Sequence, residues 1–165
     1  MEQATEKPDE RMMDFEKPSP MSQALDAASG ALNRGEVPVG CVVVHVPTQR
    51  IIARSGNMTN SRSDPSGHAE IMALRQAGMA MGSPRLTNCD LYVTLEPCTM
   101  CAAAISHARI RRLYYGASDP KGGAVESGVR FFQQPTCHHA PEIYPGIDAD
   151  RAADLLRRFF QKKRV

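Results

Sequence analysis

Two short segments far apart in the chain, His68-Ala69-Glu70 and Pro97-Cys98-Thr99-Met100-Cys101, constrain the fold more than anything else in it. One imidazole and two thiolates are donor types that suit Zn²⁺. A set of three leaves a fourth tetrahedral position open for water, the pattern of catalytic rather than structural zinc. A fold that forms this site must bring positions 68 and 98 to one ion across the thirty residues between them.

Local spacing supports the same reading. Cys98 and Cys101 stand i and i+3 at the start of an Ala-rich run, Ala102-Ala103-Ala104-Ile105, that reads as a helix opened by Pro97. Both sulfurs then share one face of its first turn, where the positive helix end lowers thiol pKa. His68 begins a second helical pattern, with Ile71, Leu74 and Arg75 at helical spacing after the capping turn Asp64-Pro65-Ser66-Gly67. Positions i and i+2 do not share a helix side, so His68 and Glu70 both reach one ion only if it lies beyond the first turn. Two helix N-termini aimed at one zinc meet that condition. Zinc lowers the pKa of water from about 15.7 to roughly 7, and a carboxylate that is not a ligand can carry the released proton to a substrate. Glu70 is the candidate for that work.

A lone CxxC is more often half of a structural zinc site or a redox pair. No fourth ligand stands at ribbon or finger spacing here: Cys41 and Cys89 sit in apolar strand-like runs, and Cys137 lies far downstream. A redox pair leaves His68 and Glu70 without a role.

At 165 residues the chain is read as one domain, large enough to bury roughly two-thirds of its unfolded surface. No apolar run approaches the roughly 20 residues of a membrane span, and the first residues lack the basic and apolar parts of a secretory signal. Five cysteines with a metal motif among them point to a reducing compartment, so a cytoplasmic protein without a membrane partner is expected. The formal net charge is +2; residues 1–20 carry six acids and three bases, net −3, which leaves +5 on residues 21–165. Basic residues concentrate at Arg109, Arg111 and Arg112, and at Arg157, Arg158, Lys162, Lys163 and Arg164. Such clusters are usually solvated surface, and at a helix end they answer its dipole; beside a base-modifying site they suggest phosphates.

Residues 1–20, with three prolines among mixed charges, read as a flexible arm, within which Met12, Met13 and Phe15 suggest a short helical lead-in. A single domain then spans 21–165. A helix is predicted over 21–34, ended by Gly35; strands over 37–46 and 50–55 form a hairpin around Pro47-Thr48; a loop over 56–67 leads to the first zinc helix, which fades at Gly78. A strand over 91–95 delivers Pro97 and Cys98, and another over 112–116 follows the second zinc helix. Residues 117–147 read as long loop and 149–160 as a closing helix. This alternation implies a mixed or parallel sheet with helices on its faces, and the motifs fall at C-terminal strand ends, where open α/β sheets bind ligands.

The order His-x-Glu followed by Pro-Cys-x-x-Cys, together with Gly35-Glu36-Val37-Pro38-Val39-Gly40, Asn57, Leu91-Tyr92-Val93-Thr94-Leu95-Glu96, Arg109-Ile110 and Phe159-Phe160, resembles the bacterial tRNA adenosine deaminases of the TadA type, within the cytidine-deaminase-like superfamily. The resemblance runs from about Ala24 to Arg164. It implies a three-layer α/β/α sandwich with a mixed central sheet, a homodimer, one zinc per chain held by His68, Cys98 and Cys101, no organic cofactor, and a tRNA anticodon arm as partner. The implied reaction is hydrolytic deamination of the wobble adenosine to inosine, with Glu70 shuttling protons. It further implies that Asn57 hydrogen-bonds the base, that Val39 and Leu95 line its pocket, that Asp119 and Lys121 touch the anticodon, and that Phe160 lies near splayed nucleotides. Val39 and Leu95 also suit a strand core, and Phe160 suits packing. The chain departs from the family at Gly67, at Ala103 and at Cys137-His138-His139-Ala140-Pro141, which leaves the contacts of residues 122–146 open. Two other functions fit the residues: deamination of a free base or nucleotide of guanine or cytosine type, and a non-catalytic zinc-stabilised RNA-binding subunit, against which Glu70 argues.

Overall fold

A computed structural model describes residues 18–163. Most of the expected arm, including Met12, Met13 and Phe15, lies outside the described residues, as does Arg164. The part of the arm that is described belongs to the fold. Ser19 caps α1 (Pro20–Asn33) by accepting the Ser22 amide at 3.1 Å, and Pro20 takes the first helical position, where its missing N–H costs nothing.

Five strands follow, β1 (Gly40–His45), β2 (Arg50–Gly56), β3 (Cys89–Leu95), β4 (Arg112–Ala117) and β5 (Glu142–Tyr144). They form one sheet in the order β2-β1-β3-β4-β5, with β1 antiparallel to both neighbours and β3, β4 and β5 parallel. Interleaved are α2 (Ala69–Met81), α3 (Thr99–His107) and α4 (Ala149–Lys163). Both faces of the sheet are covered. Cys41, Val43, Leu91, Val93, Leu113 and Tyr115 pack with Ala69, Ala73 and Ala77 of α2 and Ile105 of α3. Val42 and Ala117 pack with Met21, Ala24, Leu25 and Ala28 of α1 and Ala152 and Leu155 of α4. A strand buried on both faces carries side chains of the same character at every position, and β1 reads Cys-Val-Val-Val for that reason. This is the expected three-layer sandwich with a mixed sheet.

Several boundaries differ from expectation, each with a local cause. β1 starts at Gly40 instead of 37, because Pro38 lacks a ladder donor and Val39 turns back to the Val37 carbonyl at 2.8 Å. The helix α2 runs past Gly78 to Met81 and stops at Gly82, whose φ of +61° supplies the left-handed cap. The closing helix continues to Lys163. Residues 117–147 contain β5, a three-residue edge strand between Pro141 and Pro145, too short for a periodic signal.

Two glycines respond oppositely to a methyl group. A Cβ on Gly40 would stand 1.9 Å from the Ala24 carbonyl oxygen and 2.6 Å from the Ala28 nitrogen, because α1 crosses β1 in backbone contact. On Gly30, inside α1, it would meet only the mobile end of Arg34 at 3.5 Å. Gly40→Ala is therefore expected to destabilise the fold by about 1–3 kcal/mol or more, and Gly30→Ala to stabilise it by about 0.4–1 kcal/mol. Thermal and denaturant unfolding of both variants measures the opposite signs.

Candidate metal centre and base pocket

The imidazole and the two thiols meet as the spacing predicts. His68 and Cys98 are the N-cap residues of α2 and α3, and Cys101 lies three positions further on. Pro97 thus precedes the cap of α3 and does not open its first turn. His68 Nδ1 lies 3.6 Å from Cys98 Sγ and 3.5 Å from Cys101 Sγ. Zn–S bonds of about 2.3 Å and Zn–N bonds of about 2.0–2.1 Å at tetrahedral angles place nitrogen and sulfur about 3.6 Å apart. All three donor atoms lie within 4.8 Å of one another, and no second group of three is found among the described residues. Contact with the Cys101 thiol, together with His68, holds Cys98 well below the usual thiol range. That neighbouring sulfur and burial push Cys101 up. One thiolate therefore forms readily and a second is resisted, a condition that a dication between the sulfurs reverses. The donor set fits zinc.

Glu70 sits in the first turn of α2, 4% exposed. Burial raises its carboxyl above the ordinary range, opposed by hydrogen bonding with Cys101. Its carboxylate shares a cavity of about 280 Å³ with His68 and Cys98, walled by Val39, Asn57, Leu95 and Asp119. An adjoining cleft of about 780 Å³ shares Leu95 and Asp119 with that cavity and carries Lys121, Arg157 and Phe160. Of the site residues expected from sequence, Lys121, Phe160 and the buried Cys101 thus do not line the cavity itself. Phe160 is 51% exposed, while Phe159 is the buried member of the pair. One Asp119 carboxylate oxygen accepts the amides of Lys121 and Gly122, at 3.2 and 3.0 Å, so this side chain braces its own turn.

Two carboxylates, quoted above only as marks of resemblance, organise the walls. Glu36, 1% exposed, accepts the amide and hydroxyl of Ser61, both at 2.7 Å, with the Asn60 amide and the Thr59 hydroxyl at longer range. This fixes the loop that begins at Asn57, whose carbonyl also accepts from Arg34 Nη2 at 3.4 Å. Glu96, 2% exposed, accepts from the segment 119–127 on the opposite side. Burial alone would raise both carboxyls, yet these donors hold both below the usual carboxylate range. The departure at Cys137-His138-His139 is a stitched loop: Ser106 Oγ donates to the His139 carbonyl at 2.6 Å, and the His139 ring meets the Ile110 carbonyl at 2.7 Å.

Residues 16–117 match the cytidine and deoxycytidylate deaminase zinc-binding region. A tRNA-specific adenosine deaminase of Agrobacterium fabrum is 61% identical over 145 residues, 88% of this chain and 94% of that one. The chain belongs to the tRNA-specific adenosine deaminases. A structure solved in studies of A-to-I editing by tRNA:A34 deaminases superimposes with a TM-score of 0.81 at 61% identity, covering 83% of this chain and 98% of the other. A guanine deaminase of Nitrosomonas europaea shares the fold at 20% identity, with a TM-score of 0.74 over 87% of this chain and 85% of its own. For this member of the deaminase family, the triad of His68, Cys98 and Cys101 is the zinc-binding set.

A folded-state pKa below the unfolded value contributes stability above that unfolded value, about 4.3 for Glu, and the contribution is lost as pH falls through the folded value. Glu36→Gln is accordingly expected to be less stable than wild type by about 1–3 kcal/mol at neutral pH, since an amide cannot accept from all of these donors. The gap should close in acid, below about pH 4. Denaturant titrations of both proteins from neutral to acid pH check the sign.

Proposed function

We propose that the protein converts the wobble adenosine of a tRNA anticodon to inosine by zinc-dependent hydrolysis. The observation that carries this reading is a buried Glu70 in the same small cavity as two of the zinc ligands, His68 and Cys98. At about 280 Å³ the cavity is just below the range of drug-sized ligand sites, about 300–1,000 Å³, and suits one extruded base. An anticodon base is already single-stranded, so its extrusion demands little unpairing.

When bound by His68, Cys98 and Cys101, zinc supplies Lewis acidity that brings the ionisation of water near neutral pH. Glu70 takes the proton of the attacking water and delivers it to a ring nitrogen as the C6–O bond forms. It then carries the proton of the new C6 hydroxyl to the departing amine, so that the C6–N bond breaks, the C6 carbonyl forms and ammonia leaves. Adenosine and water are consumed, and inosine and ammonia result. Asn57 orients the base by hydrogen bonding, Val39 and Leu95 flank it, and Asp119, Lys121 and Phe160 receive the neighbouring nucleotides along the adjoining cleft.

One zinc per chain, a single domain over 21–165 and a cytoplasmic location belong to the same reading. Among the described residues no helix is long and apolar enough to cross a membrane. A homodimer is supported by an apolar groove of about 780 Å³ between α2 and α3, lined by Ile71, Leu74, the exposed Met79, Leu86 and Ala104.

Glu70→Ala is expected to retain zinc and fold while losing deamination by at least the upper end of the about 10²- to 10⁴-fold range of acid–base groups. Mass-spectrometric detection of inosine in an anticodon stem-loop, beside metal analysis, measures both. A variant within about tenfold of wild type removes Glu70 from the chemistry. Neutralising Arg157, Lys162 and Lys163 together should raise KM for the stem-loop and flatten its dependence on salt, because fewer phosphates are neutralised. Salt-insensitive turnover of a free base or mononucleotide, without stem-loop activity, assigns the chain to free-base deamination.

A further inference from the structure

We infer that Glu96 is a positioning residue for the RNA substrate: its buried carboxylate sets one wall of the base cavity in register with the zinc-ligating turn. The inference rests on the function proposed above. Glu96 lies between the last residue of β3 and Pro97-Cys98, so its backbone is continuous with the metal centre. Its side chain serves a different segment. Oε1 accepts the Asp119 amide and the Ser127 hydroxyl, each at 3.0 Å. Oε2 accepts the amides of Val125 and Glu126 at 3.1 Å and of Ser127 at 2.9 Å.

Five donors meet a group with about four lone-pair sites, so its accepting capacity is filled. A saturated carboxylate has no place in proton transfer; Glu96 itself borders the cavity, and what its hydrogen bonds position is the loop beside it. That loop carries Asp119 and Gly122 into the cavity wall. It is internally braced, since Asp119 accepts the Lys121, Gly122 and Gly123 amides. The Ala124 amide also donates to the Pro97 carbonyl at 2.9 Å, so one backbone bond and the Glu96 carboxylate together tie this braced segment to the zinc-ligating turn, and Glu96 supplies five of the bonds. The segment is fitted closely around the carboxylate: a Cβ on Gly123 would stand 2.5 Å from Glu96 Cδ and 2.5 Å from the Asp119 carbonyl oxygen.

Two variants test the link from opposite sides. Glu96→Gln keeps the shape but turns an NH₂ group toward N–H donors. Gly123→Ala keeps the carboxylate and wedges the loop away from it. For each, KM and kcat on an anticodon stem-loop, zinc content, and amide hydrogen exchange at Val125, Glu126 and Ser127 are measured. The expected result is faster exchange at these amides with zinc retained, and a KM raised about tenfold or more while kcat changes less than about threefold, the signature of lost binding that the chemical step does not need. Unchanged exchange or unchanged KM in both variants overturns the inference. Loss of zinc with a parallel fall in kcat overturns it too, and makes Glu96 a general structural residue. If Glu96→Gln does not fold, Gly123→Ala decides alone. If wild type leaves the stem-loop unmodified, the functional reading falls, while the exchange measurement still judges whether the carboxylate holds the loop.

Discussion

The approach of one imidazole nitrogen to two sulfurs, at 3.6 and 3.5 Å, sets terms that the rest of the molecule meets. Two of the donors are N-cap residues, and neither makes a side-chain cap hydrogen bond. An N-cap Ser, Thr, Asp or Asn is worth about 0.5–2 kcal/mol over alanine, so both helices forgo that local stability to turn their first side chain toward the metal. Packing compensates. The inner faces of α2 and α3 are built of Ala69, Ala73, Ala77, Cys101, Ala102 and Ile105, all buried, which brings the two helices down on the sheet with their starts aligned. Small residues serve here because any longer side chain would lift one helix end away from the other.

The parallel pair β3 and β4 makes the alignment possible. A crossover through α3 returns the chain beside β3, so the end of β3 and the start of α3 sit on one edge of the sheet. The start of α2 reaches the same edge by the loop after β2. The zinc ligands, the Glu70 carboxylate and the small cavity then gather at the strand ends.

Much of this was legible in the residues. His68, Cys98, Cys101 and Glu70 declared themselves because metal chemistry restricts residue type and spacing together. The layers were legible because strands alternate with helices along the chain, which implies a mixed or parallel sheet with helices on its faces. The parts that escaped are those where a tertiary contact decides. Gly78 reads as a helix end until Gly82 is seen to hold the left-handed cap. Glu142-Ile143-Tyr144 is a strand only because β4 offers a free edge, across which Tyr92, Tyr114 and Tyr144 then stack. Glu36 and Glu96 are the instructive omissions. Each is an acid beside a proline and an apolar strand, a place where an ionised group is costly unless many donors serve it, and that cost was the available signal.

Those two carboxylates answer a problem particular to a site for RNA. Negative charge near a polyanion weakens binding, so arginine or lysine pairs would be the simpler braces for the two loops. A paired cation, however, would be drawn equally to phosphate and would release its loop whenever RNA bound. Amide and hydroxyl donors have no such alternative partner of comparable charge. They spread the carboxylate charge over many dipoles, and both acids are kept out of contact with solvent. The basic groups at the surface, Lys121 and Arg157 along the cleft, are not used to brace these two loops, while the acids work from inside.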